Sequence, residues 1–151
     1  MLSVSFSRLA GFLVSVSSFL MVGCSASGPK FSALPIAPDR GVVYIYRPGS
    51  IVGGAVKGGV EVNGKNIGSI SSGGYLTAVC PPGSTKVSAE TEAKNEISVD
   101  VKPGQANYVR TSIQIGVLVG RLKLEEVPAE TGLKEIQDCS WINADPAPPA
   151  K

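Results

Sequence analysis

Apolar and polar residues alternate one by one in two segments of the second half of the chain. In "NEISVDV" the apolar Ile97, Val99 and Val101 are separated by polar or charged residues, and "ANYVRTSIQI" (residues 106–115) alternates in the same way. Because successive side chains of a strand point to opposite faces, a period of two is typical of a strand with one buried face. The pattern therefore predicts two half-buried β-strands.

Turn signals divide the rest of this region into further short strands. "GVVYIYRP" (residues 41–48) is apolar on both faces, which predicts a central strand that ends at its proline. Asn63-Gly64 predicts a tight hairpin, and Pro103-Gly104 predicts a second turn. Such signals recur about every 8 to 14 residues, the spacing of a sandwich or a small barrel. We therefore predict an all-β domain over residues 41–143, an antiparallel β-sandwich of about seven or eight short strands.

The N-terminal segment has the features of a secretory signal peptide. No acidic residue precedes Asp39, Arg8 gives the chain a positive start, and Leu9 to Val22 is almost wholly apolar or small. A bilayer-spanning helix needs about 20 apolar residues, and this segment is shorter. A cleaved signal peptide over residues 1–23 is therefore favoured over a transmembrane anchor.

A cysteine follows directly after this apolar segment. Met21-Val22-Gly23-Cys24 resembles the bacterial lipobox, in which the chain is cut before a cysteine whose sulfur carries a diacylglycerol. Each buried methylene contributes about 0.8 kcal/mol, so a triacylated Cys24 is a stable membrane anchor. Ser25, where Asp marks retention at the inner membrane, predicts an outer-membrane protein that faces the periplasm. The alternatives are an inner-membrane location and a signal peptide whose nearby cysteine is incidental.

Three shorter segments flank or end the predicted sandwich. Residues 24–40 mix Ser, Ala, Gly and Pro without periodicity, which predicts a lipidated N-terminus and a flexible tether. Residues 144–151 are rich in proline and predict a disordered tail. The best helical candidate, Pro128 to Ile136, contains Gly132 and predicts one or two turns of helix at most.

The composition narrows the possible chemistry. The chain has a net charge of +2 and no histidine. It therefore lacks the basic footprint of a nucleic-acid-binding protein, the Ser-His-Asp and Cys-His catalytic sets, and the commonest zinc ligand. Ser84 and Lys86 leave a Ser-Lys dyad open, although the pair suits a solvated strand face equally well. "GGAVKGG" (residues 53–59) lacks the Lys and Ser/Thr of a phosphate-binding loop and predicts a flexible hairpin loop.

These observations predict that the protein is not an enzyme, with no catalytic residue, no cofactor and no metal site. Cys80 and Cys139 remain beside Cys24 as an even pair in an oxidising compartment, which predicts a disulfide. It would close a loop of about 59 residues and stabilise the fold by about 4 kcal/mol in the chain-entropy treatment. Two reduced thiols, one of them buried in the sheet, are the alternative.

Arg47, Tyr108 and Arg110 lie on predicted strands, where outward-facing side chains can form a polar patch. One interpretation is a set of cross-strand pairs on a solvated sheet face. The other is an arginine-lined surface that binds an acidic envelope protein or a glycan. These three residues are the candidate binding surface.

The order of the motifs is distinctive. "VVYIYRP" is followed by "VEVNGKNIGSISSGGYLTAVCPPGSTKVSA", then by "VDVKPGQANYVRTSI" and "RLKLEEVPAETGLKEI". This series, from about residue 41 to residue 136, resembles a bacterial lipoprotein family catalogued as domain of unknown function 2846. The hairpin and the "PPG" and "KPGQ" turns are also similar to those of PEGA modules, β-sandwich repeats that hold or present other domains. The resemblance implies the fold and the compartment and carries over no catalytic residues.

Together these features predict a membrane-anchored periplasmic lipoprotein whose sandwich is a non-catalytic binding or scaffold module. A carrier or sensor of a small envelope ligand is the second hypothesis, and it requires a cavity between the sheets. A histidine-free hydrolase is the third, and it requires a polar cleft that gathers Ser, Lys and carboxylate side chains.

Overall fold

The structure of the chain, a computed structural model, describes residues 26–114 and 120–142. The predicted signal peptide, Cys24 and the predicted tail of residues 144–151 lie outside the described residues. Within the described ranges there are nine strands and one helix. Their bounds are β1 Gly41–Arg47, β2 Gly58–Val62, β3 Lys65–Ile70, β4 Gly74–Cys80, β5 Gly83–Glu90, β6 Lys94–Val101, β7 Ala106–Gln114, β8 Arg121–Val127, α1 Ala129–Ile136 and β9 Ser140–Trp141. None of the helical residues described here forms a helix long and apolar enough to cross a membrane.

Two sheets form the predicted sandwich. One sheet has five strands in the order β8-β7-β1-β4-β9, and the other has four in the order β3-β2-β5-β6. β1 lies at the centre of the first sheet with all seven residues buried, as its two apolar faces predicted. The fold is all-β and sandwich-like, and the prediction is confirmed.

The first sheet is mixed, which corrects the prediction of a wholly antiparallel sandwich. β1 pairs with β7 in parallel, and β4 pairs with β9 in parallel. The reason for the first pair is that β7 arrives from β6 of the other sheet and begins beside Val42, at the end where β1 also begins. Chains that cross between two sheets can bring non-consecutive strands together in either direction.

The space between the sheets is filled by aliphatic side chains, and we call this the inner core. The alternation predicted for β6 and β7 is confirmed, since Val99 and Val109 face this core while Tyr108 faces the other side of its sheet. The fourteen buried members are Val43, Ile45, Val60, Val62, Ile70, Leu76, Cys80, Val87, Ala89, Val99, Val101, Val109, Leu122 and Leu124.

The outer face of the five-stranded sheet is covered by a second, aromatic cluster, which we call the aromatic layer. Its buried members are Val42, Tyr44, Tyr46, Tyr75, Tyr108, Val127, Ile136, Cys139 and Trp141. Phe31 closes this layer, with its ring edge-to-face on Tyr44 and Tyr75 at centroid distances of 5.2 and 5.3 Å. Offset and edge-to-face ring pairs add to the free energy gained from area burial.

The chain before β1 is part of this fold between residues 29 and 36, which corrects the predicted flexible tether. The Phe31 amide donates to the Cys139 carbonyl at 3.0 Å, and the Trp141 amide donates to the Pro29 carbonyl at 2.7 Å. The Leu34 amide donates to the Tyr44 hydroxyl at 2.8 Å. The tether prediction relied on composition alone. It missed that a sheet face rich in tyrosine needs a cover, and that Phe31 and Ile36 provide part of it.

The helix α1 covers another part of the aromatic layer, and its two turns confirm the prediction for this segment. Ile136 is buried in the layer. Gly132 packs so closely on Tyr108 that a Cβ at this position would overlap the tyrosine side chain. Gly132 lowers the helix propensity of this segment, but because it has no Cβ it allows α1 to approach the sheet closely.

The predicted disulfide between Cys80 and Cys139 is wrong in this structure, because both cysteines are free and buried. Cys80 pairs with Gly41 at the start of β1, whereas the Cys139 thiol lies 3.6 Å from the Arg47 carbonyl at its end. Six residues of strand separate the two sites by about 20 Å, and a bridge needs Cα atoms within about 7 Å. The even cysteine count gave no information about this distance.

The sandwich has two distinct ends. At the end that we call the turn end, the chain reverses through Asn63-Gly64, Pro81–Gly83 and residues 102–105. At the other end, which we call the loop end, lie residues 48–57 between β1 and β2 and residues 71–73 between β3 and β4. The loop of residues 48–57 joins strands of different sheets, so the predicted hairpin loop is corrected to a crossover between sheets.

Candidate functional site

The candidate site is built around Arg47, the last residue of β1. Its side chain is only 2% exposed. The guanidinium donates to the carbonyls of Val56 and Gly53, both at 2.6 Å. In the part of the chain that the structure describes, no carboxylate lies within ion-pair distance of it. Burial lowers the pKa of Arg47, although an arginine keeps its charge in a protein.

Arg47 organises the residues that follow it, and we call residues 48–57 the Arg47 loop. The Val56 amide donates to the Gly53 carbonyl at 2.9 Å, and the Gly54 amide donates to the Ile51 carbonyl at 3.2 Å. With these bonds and the two bonds from Arg47, the loop wraps around the guanidinium. Hydrogen bonds from an ionised donor are about twice as strong as neutral ones. The loop is therefore held by a buried charge from the sheet.

A second attachment fixes the start of the loop to the turn between β3 and β4. The Ser50 amide donates to the Ser72 hydroxyl at 3.0 Å, and that hydroxyl donates back to the Ser50 carbonyl at 3.2 Å. Ser72 is itself buried. The tip of the loop, in contrast, faces solvent, with Ile51 101% and Val52 75% exposed.

A shallow cleft of about 200 Å³ separates the Arg47 loop from β7. Its lining consists of Arg47, Pro48, Gly49, Ser50, Val52, Arg110, Thr111, Ser112 and Ile113. Pockets for small ligands are usually larger, at about 300 to 1,000 Å³. The cleft brings Arg47 and Arg110 of the predicted binding surface to one place, but it is small for an organic ligand.

Arg110 is already paired with acidic side chains. Its guanidinium lies 2.9 Å from a Glu135 carboxylate oxygen on α1 and 3.1 Å from a Glu125 oxygen on β8. The Tyr46 hydroxyl donates to the other Glu135 oxygen at 2.6 Å. The hydrogen bond with Glu125 raises the pKa of Arg110, and the same bond lowers the pKa of Glu125. This network ties α1 to the outer face of the sheet.

The three predicted surface residues therefore do not form one exposed surface, and the candidate binding surface is corrected. Arg47 is buried at the inner side of the loop end, and Arg110 is neutralised by two carboxylates. Tyr108 is buried in the aromatic layer, where its ring stacks on Tyr44 at 5.4 Å. The interpretation as cross-strand pairs fits Arg110, whose β-sheet partner is Glu125.

The other side chains considered from the sequence are placed apart or paired. Lys86 forms an exposed ion pair with Glu96 at 2.9 Å, which leaves Ser84 without the lysine that a dyad needs. In residues 26–114 and 120–142, no group of three or more Cys, Asp or Glu side chains is arranged to hold a metal ion.

Sequence reasoning missed the Arg47 loop as a unit. A signal was present, because a lone arginine ends an otherwise apolar strand and a glycine-rich stretch follows within ten residues. A buried guanidinium requires several acceptors, and the carbonyls of a glycine-rich loop can approach it closely. From the sequence alone, the glycines of residues 53–59 predict only a flexible hairpin loop.

Comparison with known protein families shows which family the chain belongs to. Residues 37–121, more than half of the chain, match the family described as "Protein of unknown function (DUF2846)". The chain belongs to the DUF2846 family. The region shared with the family runs from before β1 to the start of β8, so it contains Arg47, the Arg47 loop and Arg110, while α1 and β9 lie beyond it.

A bacterial protein is similar in sequence to part of the chain. This DUF2846 chain is 31% identical over 103 residues to a protein of Haemophilus influenzae described as an uncharacterized protein. The aligned part is 66% of this chain and 61% of the relative, so the chain spans about three fifths of the relative's length. No solved structure matches the chain significantly.

Proposed function

We propose that this DUF2846 protein is a lipoprotein of the bacterial cell envelope. Acyl chains on Cys24 hold it to the outer membrane, and its β-sandwich faces the periplasm as a non-catalytic binding or scaffold module. The observation that carries the proposal is the order of features along the chain. An apolar segment over Leu9 to Val22 ends at Gly23-Cys24, and Phe31, which packs on Tyr44 and Tyr75, follows in the same chain.

The interior of the sandwich supports a binding role at its surface over a carrier role. The inner core is filled by fourteen buried residues, and the cleft beside the Arg47 loop has a volume of only about 200 Å³. The candidate polar residues near it are engaged, since Arg47 bonds to loop carbonyls and Arg110 to two carboxylates. Loops and strand edges then remain as the surfaces that can contact a partner such as an envelope protein or a glycan.

The experiment that tests the anchor is metabolic labelling of the full chain with an alkyne fatty acid in a bacterium with an outer membrane. The wild-type chain should take up label, and Cys24→Ser should take up none. Both chains keep Cys80 and Cys139, so acylation of any other cysteine would appear in both. A wild-type chain without label, or a Cys24→Ser chain with label, contradicts the proposal.

The outer-membrane location is tested by density-gradient separation of the two membranes. The wild-type protein should sediment with the outer membrane, and Ser25→Asp should move to the inner membrane. A wild-type protein that sediments with the inner membrane contradicts this location while leaving lipidation of Cys24 intact.

A carrier of a small envelope ligand is the second candidate, and the cleft between the Arg47 loop and β7 is the observation that favours it. Native mass spectrometry of the protein purified from envelopes separates the two. A stoichiometric small molecule that is bound to the wild type and lost in Ile113→Trp, which narrows the cleft, would favour the carrier. A measured mass that corresponds to the protein alone would favour the binding module.

A further inference from the structure

The tip of the Arg47 loop exposes two adjacent β-branched apolar side chains. Ile51 is 101% exposed and Val52 is 75% exposed. The other large apolar side chains on the described surface stand singly, with Val79 60% and Leu133 44% exposed. Exposed apolar side chains that cluster at one tip are typical of a surface that contacts a protein or a membrane.

This exposure belongs to an ordered loop. Arg47 and Ser72, both buried, hold the loop by four hydrogen bonds to the backbone of residues 50, 53 and 56. A buried guanidinium without a carboxylate partner is unfavourable by itself, because its desolvation is compensated only by the carbonyls it contacts. A buried charge, the Arg47 guanidinium, therefore fixes the loop that presents Ile51 and Val52 to solvent.

The N-terminal side of the chain reaches the same place. The Ala26 amide lies 3.5 Å from the Ser72 carbonyl, and the Ala26 side chain lies beside Gly74, the first residue of β4. Ser72 is also the residue that holds Ser50 at the start of the Arg47 loop. Cys24 precedes Ala26 by two residues, and covalent geometry keeps the two Cα atoms within about 7 Å. The proposed lipid attachment site is thus at the loop end.

We propose that the Arg47 loop inserts Ile51 and Val52 into the interfacial region of the bilayer that holds the lipid anchor. This inference rests on the proposed lipidation of Cys24. An acyl chain attached so close to Ser72 brings the loop end to the membrane surface, and insertion removes the apolar tip from water.

The composition of the loop suits a bilayer surface. From residue 48 to residue 59 the sole charged residue is Lys57, which is exposed. No carboxylate in this stretch opposes anionic headgroups, and the Lys57 ammonium can stay at headgroup level while its stem follows the apolar surface. The domain then stands on the membrane with its loop end down and its turn end towards the periplasm.

The test uses the full-length, lipidated chain in vesicles of phosphatidylethanolamine and phosphatidylglycerol whose acyl chains carry bromine, a contact quencher of tryptophan. Ile51→Trp places a reporter at the loop tip. Val79→Trp is the matched control, since Val79 is an exposed apolar residue near the turn end of β4. Wild-type protein gives the background of Trp141, the single tryptophan of the chain.

We expect the added fluorescence of Ile51→Trp to be lost in brominated vesicles relative to unbrominated ones, and that of Val79→Trp to be retained. Val52→Trp should behave like Ile51→Trp and replaces it if the first variant fails to fold. Equal quenching at both sites, or none at Ile51, overturns the inference.

Failure of the inference and failure of the proposed function give different results. Mass spectrometry of the same preparations shows whether Cys24 carries acyl chains. An acylated chain without quenching at the tip contradicts insertion only, whereas a chain without acyl groups contradicts the anchor, and the inference with it.

Discussion

The two ends of the sandwich are built by different means. At the turn end, the chain reverses through residues that adopt the left-handed region locally, such as Asn63 at φ 50°, Gly64 at φ 77° and Gly104 at φ 68°. At the loop end, a buried arginine from the neighbouring strand holds the Arg47 loop through its carbonyls. Gly53 and Gly73 also adopt positive φ at the loop end, so the feature that distinguishes the loop end is the added contact between a buried arginine side chain and the loop. Residues at the turn end therefore serve the fold only. The tip residues Ile51 and Val52, in contrast, are exposed and serve no purpose in the fold.

The largest expected effect is at the buried arginine. Arg47→Ala should lower the free energy of unfolding by about 3 to 4 kcal/mol, because it removes two charge-assisted hydrogen bonds and leaves a cavity. Arg40→Ala is the matched control at the turn end, where the arginine is exposed and 3.7 Å from Asp39. It should change stability by less than about 0.5 kcal/mol. Urea unfolding of both variants measures the difference, and equal effects would show that Arg47 does not hold the loop end.

The next effect concerns the segment that brings the N-terminus to the loop end. Phe31→Ala should lower the free energy of unfolding by about 2 to 3 kcal/mol, since the ring packs on Tyr44 and Tyr75. The exposed neighbour Ala33, changed to Ser, should have an effect below about 0.5 kcal/mol. Urea unfolding serves again, and a silent Phe31→Ala would mean that residues 29–36 do not contribute to the fold.

A pH-dependent effect is expected from the cysteine at the loop end. Burial raises the pKa of Cys139 from 9.0 to about 11. Below pH 9 both states hold the proton. Between about pH 9 and 11 the folded state still holds it after the unfolded state has lost it, so stability falls as the pH rises. By about pH 10.5 the thiol should account for a loss of about 2 kcal/mol.

The measurement is urea unfolding of wild type and Cys139→Ala at several pH values from 8 upward. Burial raises the pKa of Tyr44 in both chains alike. Tyr46 and Tyr75 interact with the Cys139 thiolate, so their pKa values change together with the removal of Cys139. The wild-type curve should therefore fall more steeply than that of Cys139→Ala. Parallel curves would show that the Cys139 thiol ionises as easily in the fold as outside it.

The smallest effect on stability is expected at the loop tip. Ile51→Asp should change the free energy of unfolding by less than about 0.5 kcal/mol, because the side chain is fully exposed. Val60→Asp, at a fully buried position of β2, should destabilise by more than about 3 kcal/mol. A marked destabilisation by Ile51→Asp would mean that the Ile51 side chain packs on the fold. No membrane would then be needed to cover the loop tip.

Much of the fold could be predicted from local sequence patterns. The central strand β1, the alternation of β6 and β7, the turn at Asn63-Gly64 and the two-turn helix all depend on neighbouring residues, and all are observed. The parallel pairing of β1 with β7 could not be predicted in the same way, because it depends on where the chain crosses between sheets. The distance between Cys80 and Cys139 could not be predicted either, because it depends on the tertiary fold and not on neighbouring residues.

The candidate site was harder to predict for a related reason. Arg47, Tyr108 and Arg110 all lie on predicted strands, but a period of two does not say which face of a strand is covered. Residues 29–36 and α1 cover the face with Tyr108, and the Arg47 loop encloses Arg47. A side chain at a strand end is placed by the loop that follows, and loop geometry is not written in hydrophobic periodicity.

The orientation of the domain on the membrane is tested by hydrogen exchange of the lipidated chain in vesicles, compared with a chain of residues 25–151, which lacks the signal peptide and Cys24, in solution. Amides of residues 49–56 should exchange more slowly in the vesicle sample, while those at the turn end, residues 81–83 and 102–105, should exchange equally in both. Equal exchange at residues 49–56, or protection at the turn end instead, would contradict a sandwich that stands on the bilayer by its loop end.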